Sequence, residues 1–170
     1  MQVDNEISEM VRELSDKNRE VRIAAVKELS AVGERAVSPL IVAMQGTGSN
    51  DFRWYAALTL SRIGKPAIAP LITAMKADTD PDFRRFAAAA LGQMGEVAVD
   101  PIILAMKNAD PALRGVLSAA LCRIGPPAIP KLKDAFAADD EDLRRCAALT
   151  LLGMGEEGIS SMMQPDEEKS

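Results

Sequence analysis

The sequence predicts an all-α fold, an αα-superhelix of about 4.5–5 stacked helical hairpins. Three observations carry this. Arg22, Arg53, Arg84, Arg114 and Arg144 recur at intervals of 31, 31, 30 and 30 residues. Each is followed eleven residues later by a glycine: Gly33, Gly64, Gly95, Gly125 and Gly155. Apolar residues make up 48 % of the 170, yet only 4 % are aromatic, and alanine is abundant. A constant period of this length marks a repeat architecture. Small side chains let helices approach closely, and alanine is the best helix former.

The elements follow in order. Residues 4–16 form an amphipathic helix carrying Ile7, Met10, Val11 and Leu14, which acts as a leading cap. Repeats then occupy about 18–48, 49–79, 80–109, 110–139 and 140–163, in one domain spanning 1–165. The first half of each repeat is helix A. Phe52, Ala56, Leu60 and Ile63 lie at offsets of 4, 4 and 3, one helical face, and Phe83, Ala87, Leu91 and Met94 repeat it. Asp80 and Asp110 each precede a proline and read as N-caps. The glycine is expected to end helix A as a left-handed C-cap. Helix B follows, with Val37, Leu40, Ile41 and Met44; Ile68, Leu71, Ile72 and Met75; Val99, Ile102, Ile103 and Met106; and Ile129, Leu132 and Phe136 as its core stripe. Pro39, Pro70 and Pro101, six residues after the glycine, are expected in its first turn. Ile159, Met162 and Met163 mark a short last helix, and residues 166–170 a disordered tail. No pair of such helices buries its stripes alone, so identical pairs stack.

The pattern (V/F/L)-R-x-x-A-A-x-x-L-x-x-x-G followed by A-(I/V)-x-P-L-I-x-A-M resembles the short HEAT-like repeats of the PBS lyase type, over roughly residues 18–163. That resemblance implies a right-handed HEAT-like solenoid and, most often, binding of another macromolecule. It also implies that the B helices line the concave side.

Charge and composition narrow the functional classes. The net charge of −5 disfavours nucleic acid, since an acidic field repels phosphates. The chain has no histidine, which removes the commonest metal ligand and the usual general base. Cys122 and Cys146 lie in apolar helical patterns and read as buried hydrophobes. No uninterrupted apolar stretch reaches membrane-spanning length, and MQVDNEISEM is no signal pattern, so a cytoplasmic protein with no membrane partner is expected. No catalytic, cofactor-binding or metal-binding set emerges. Deoxyhypusine hydroxylases, among the proteins this family resembles, hold two irons on His-Glu pairs, and not one such pair is present. Neither the basic, aromatic groove of the HEAT-like DNA glycosylases nor a lyase-specific motif is found.

The arginine column reads as structural. An arginine in the first turn of helix A meets the unfavourable end of the helix dipole. Acids two positions before it, Glu20, Asp51, Asp82 and Asp142, offset that. An Asp/Arg ladder between neighbouring helix starts follows, built on Arg22, Arg53, Arg84, Arg114 and Arg144 with Asp51, Asp82 and Asp142. Function is assigned instead to the outward face of helix B: Val42, Thr73, Leu104 and Asp134 in one rank, Gln45, Lys76 and Lys107 in another, with Asp100 beside them. An apolar floor with charged edges suits a peptide or helix. Trp54, in a mixed column with Arg85, is the candidate anchor on the outer face. The expected function is therefore a non-enzymatic interaction or scaffold module, monomeric, with another protein or peptide as partner and no cofactor. The alternatives are an accessory subunit of an enzyme, such as a phycobilin-lyase-like complex, or an adaptor that dimerises through its C-terminal repeat.

Overall fold

The computed structural model describes residues 2–47 and 49–163, with side chains from residue 5 onward. The predicted 166–170 tail lies outside the described residues. Among the described residues there is no strand. The helices are α1 (Gln2–Glu13), α2 (Arg19–Val32), α3 (Glu34–Gln45), α4 (Asn50–Ile63), α5 (Lys65–Ala77), α6 (Pro81–Met94), α7 (Val99–Met106), α8 (Pro111–Ile124), α9 (Ile129–Phe136), α10 (Glu141–Gly153) and α11 (Glu156–Met163). Two compact units result, Met1–Met94 and Gly95–Ser170. The division falls between α6 and α7, inside the repeat drawn as 80–109 from sequence.

In the first unit the A helices α2, α4 and α6 pack side by side. Helices α1, α3 and α5 form a second layer against them, so α1 takes the place of a leading B helix. In the second unit α8 packs on α10, while α7, α9 and α11 make the other layer. The core is the expected stripe at most positions. Phe52, Ala56, Leu60, Phe83, Ala87 and Leu91 are buried from the A side, and Leu40, Met44, Leu71, Met75, Ile102 and Met106 from the B side. Burying each leucine or methionine is worth roughly 1.5–3 kcal/mol. The alanines between them let the helices close up.

Helix starts follow local chemistry. Asn18, Ser49, Asp110 and Asp140 accept from the backbone N–H groups of Glu20, Phe52, Leu113 and Leu143. The glycines depart from expectation. Gly64 has φ 76 and ψ −133, and Gly33 and Gly125 are close to it. This is not the left-handed helical cap but a region that only glycine enters freely. The Gly64 N–H donates to Leu60 O at 3.0 Å, and its own carbonyl accepts from Ala67 at 2.9 Å. One residue therefore ends α4 and starts α5. With no connecting residues, Pro39 and Pro70 fall inside α3 and α5 and not in the first turn. They follow a tight first turn closed by an i→i−3 bond, where a residue without an N–H is tolerated.

Three core expectations fail. Phe136 is exposed, and the buried stripe runs through Ala128, Leu132 and Ala135. Its neighbour α11 is an eight-residue helix, as are α7 and α9. Within α11, Gly158 and Ser161 face inward while Ile159 is exposed and Met163 is 80 % exposed. Gly158 sets this orientation, since a Cβ there would stand 2.0 Å from the Leu151 carbonyl oxygen. Gly158→Ala is expected to displace α11, raising amide exchange in Glu156–Met163 at least tenfold while α4 stays protected. Thirdly, Cys122 and Cys146 are only part-buried.

Within Pro81–Met106 an 18-residue window reaches the mean hydropathy of a membrane span, 1.3, although Asp82, Arg84, Arg85, Glu96 and Asp100 interrupt the stretch. Gly95, at φ 75, interrupts it between two helices. The inward stripes of α6 and α7 raise its hydropathy.

Candidate functional site

Arg53 and Arg84 are each 3 % exposed. The Nε of Arg53 donates to Met44 O at 3.1 Å, that of Arg84 to Met75 O at 2.9 Å, and that of Arg114 to Met106 O at 3.2 Å. These carbonyls belong to the last turns of α3, α5 and α7, where no N–H of the same helix donates to them. A cation is favourable at that end of a helix. The dipole conflict inferred from sequence therefore dissolves. Each arginine starts one helix but delivers its charge to the end of the preceding one.

The carboxylates come from the following repeat. Arg53 pairs with Asp80 and lies 3.9 Å from Asp82, while Arg114 lies 3.2 Å from Asp142. Asp80 is the partner that the sequence reading missed, having been taken as an N-cap alone. It does both, accepting from the Asp82 N–H at 2.9 Å. The Asp82 amide first, then the charge of Arg53, hold its carboxyl below the usual range despite partial desolvation. Asp51 forms no such pair with a described residue. Tyr55, by hydrogen bonding, and more weakly the charge of Asp51 raise the pKa of Arg22. Arg22 donates to the carbonyls of Asp16 and Lys17 at 2.6 and 3.2 Å, and its buried Nε lacks a partner. Arg144 donates to the carbonyls of Ala138 and Asp139.

The outward B-helix residues gather in two open depressions, one in each unit. Between α3 and α5 a depression of about 560 Å³ is lined by Val42, Gln45 and Thr73 with Ile41 and Pro70. Val42 is 64 % exposed. Gln45 Nε2 donates to Asp78 at 3.2 Å. Lys76 is exposed on α5 but does not line this wall. Between α7 and α9 a depression of about 310 Å³ is lined by Asp100, Leu104, Lys107 and Asp134. Leu104 is 66 % exposed. Lys131, not singled out from sequence, also lines it and pairs with Asp100 at 3.4 Å.

On the A side of the first unit Trp54 is 50 % exposed and stands edge-on to the buried Tyr55, ring centroids 4.7 Å apart. Arg85 does not join it. That guanidinium pairs with Asp82 at 2.8 Å and lies over Phe86. Arg19 and Arg62 flank Trp54 instead. Arg62 was legible in principle, eight residues after Trp54 and so on the same helical face.

Burial raises the pKa of the Cys122 thiol, which disfavours the nucleophilic thiolate. Among the described residues no group of three or more acidic or cysteine side chains is placed to hold a metal ion.

Comparison with known proteins gives the following. A family model of HEAT repeats matches residues 7–77 and 68–153. No match was found among curated proteins. Among solved structures, the chain is similar to a designed armadillo repeat protein in complex with the peptide (KR)4. Identity is 13 %, covering 93 % of this chain and 87 % of that one, with a TM-score of 0.35. It is also similar to an engineered protein from a structural genomics consortium at 16 % identity, covering 92 % and 85 %, with a TM-score of 0.33. Both likenesses are loose at these scores. The HEAT matches, by contrast, run from Ile7 to Gly153 and coincide with helix pairs turned on a positive-φ glycine. The chain belongs to the HEAT repeat family, an all-helical fold of the α-solenoid class.

Proposed function

We propose that this protein is a non-enzymatic interaction module that takes a peptide or helix of another protein on the outward face of its B helices. HEAT repeats serve in general as protein-interaction scaffolds and are in general not enzymes, which supports the class. The single observation that carries the finer reading is the open depression between α3 and α5. Its floor is apolar, from Val42, Ile41 and Pro70, and its edge carries the Gln45 amide. An exposed valine beside a threonine gives an amphipathic helix a shallow seat, with polar groups to set its register. The depression between α7 and α9 repeats the theme with Leu104 between Asp100, Lys107 and Asp134.

A random peptide library panned against the wild type and against Val42→Asp/Thr73→Asp tests this. Both positions are exposed, so the variant should keep its circular dichroism spectrum and melting curve. Sequences enriched on the wild type are expected to lose at least about tenfold in affinity, some 1.4 kcal/mol, on the variant. Equal affinity for the folded variant would remove this face from consideration.

A further inference from the structure

A second site lies on the other face of the first unit, between α2 and α4. Ile23 and Val26 of α2 meet Trp54, Tyr55 and Leu58 of α4 around a cleft of about 190 Å³. Its walls are mostly apolar. Arg19, at the start of α2, and Arg62, in the last turn of α4, reach it from opposite ends. Neither arginine forms an ion pair with any described residue, and no carboxylate lines the cleft. This differs from the arginine column, whose guanidiniums are taken up by carbonyls and aspartates. It differs also from Arg85 and Arg145, each paired with an acid on its own helix.

Size and charge select the occupant. The cleft is smaller than the ~300 Å³ at which drug-sized pockets begin, so it admits one side chain and not a whole cofactor. Trp and Arg are the residue types most enriched where binding energy concentrates. Unpaired guanidiniums favour carboxylates, which they hold bidentately. We propose that this cleft binds an acidic linear peptide, seating one apolar side chain against Trp54 with carboxylates on Arg19 and Arg62.

Trp54 is the only tryptophan in the chain, so its emission reports this cleft directly. The random peptide library is panned here on the Val42→Asp/Thr73→Asp protein, which separates this site from the B-helix face whether or not that face binds anything. Enriched peptides are expected to carry acidic residues around one apolar residue and to shift Trp54 emission. Their affinity should fall at least tenfold in Arg19→Glu/Arg62→Glu, fall less in Arg19→Lys/Arg62→Lys, and weaken as salt rises. Both positions are exposed, so folding is not at risk, and circular dichroism confirms it. A thymidine oligonucleotide serves as the competing anion. The proposal is overturned if no enriched peptide moves Trp54 emission, if the peptides are neutral or basic, if charge reversal leaves affinity unchanged, or if the oligonucleotide binds more tightly than the peptides.

Discussion

Replacing Arg53 by alanine is expected to lower the free energy of unfolding by about 2–4 kcal/mol. Urea denaturation reads this as a lower midpoint at nearly constant slope. The loss has two parts. Asp80 is partly open to solvent, so the ion pair contributes the smaller one. The larger comes from the Met44 carbonyl, which sits in a fully buried residue and loses the Nε donor beneath a guanidinium that is itself almost wholly covered. An unpaired buried acceptor is worse than the average hydrogen bond is good. Arg22→Ala is the internal control. Its Nε has no partner to lose, its carbonyl bonds run to exposed groups, and beyond them it keeps only its contact with Tyr55, so less than half the effect of Arg53→Ala is expected. Equal losses at the two positions would refute the carbonyl account.

Asp80 adds a pH signature. Its carboxyl titrates lower in the folded protein than in the unfolded chain. The stabilisation is therefore full above the unfolded value, near 3.9, and disappears as pH falls through the folded one. Asp80→Asn should be less stable than the wild type at neutral pH, with the difference vanishing in acid. A gap that persisted in acid would point to the cap and not the charge.

Gly64→Ala is the second large effect, expected at about 1–3 kcal/mol. Space is not the cause, since a Cβ there meets nothing within 4 Å. The cost is the backbone itself, at φ 76 and ψ −133. Gly64→Asn separates this geometry from an ordinary helix cap. Asparagine is tolerated in the left-handed helical region, so it would restore stability there. Here it should be as damaging as alanine. Thermal melts of the two variants decide the matter, and an asparagine variant near wild-type stability would contradict the observed turn.

Much of the fold was legible because repetition makes each position five observations. The Phe52-Ala56-Leu60 face, the glycine turns and the Asp110 cap all follow from local rules applied at a constant period. What escaped reading depends on neighbours. That Pro39 lies within a helix follows from Gly33 serving two helices at once, which no spacing reveals. Phe136 occupies the column of Met106 yet is exposed, because burial depends on the helices packed around it and not on the column alone. The exposed B-helix residues were found because outward ranks follow from the core stripe. Arg19 and Arg62 were not, because the cleft at Trp54 forms between two helices and neither carries the pattern alone. The carbonyl bonds of the arginine column escaped because main-chain acceptors leave no mark in residue identity.

The bonds from Arg53, Arg84 and Arg114 to methionine carbonyls also bear on how such a chain grows. Donor and acceptor lie eight or nine residues apart, astride the join between successive repeats. An in-frame duplication of some thirty codons would therefore insert a new donor for the old acceptor and a new acceptor for the old donor. Lengthening of this kind leaves no orphan at the seam, so arrays of different lengths can arise by unequal crossover without first evolving a fresh junction.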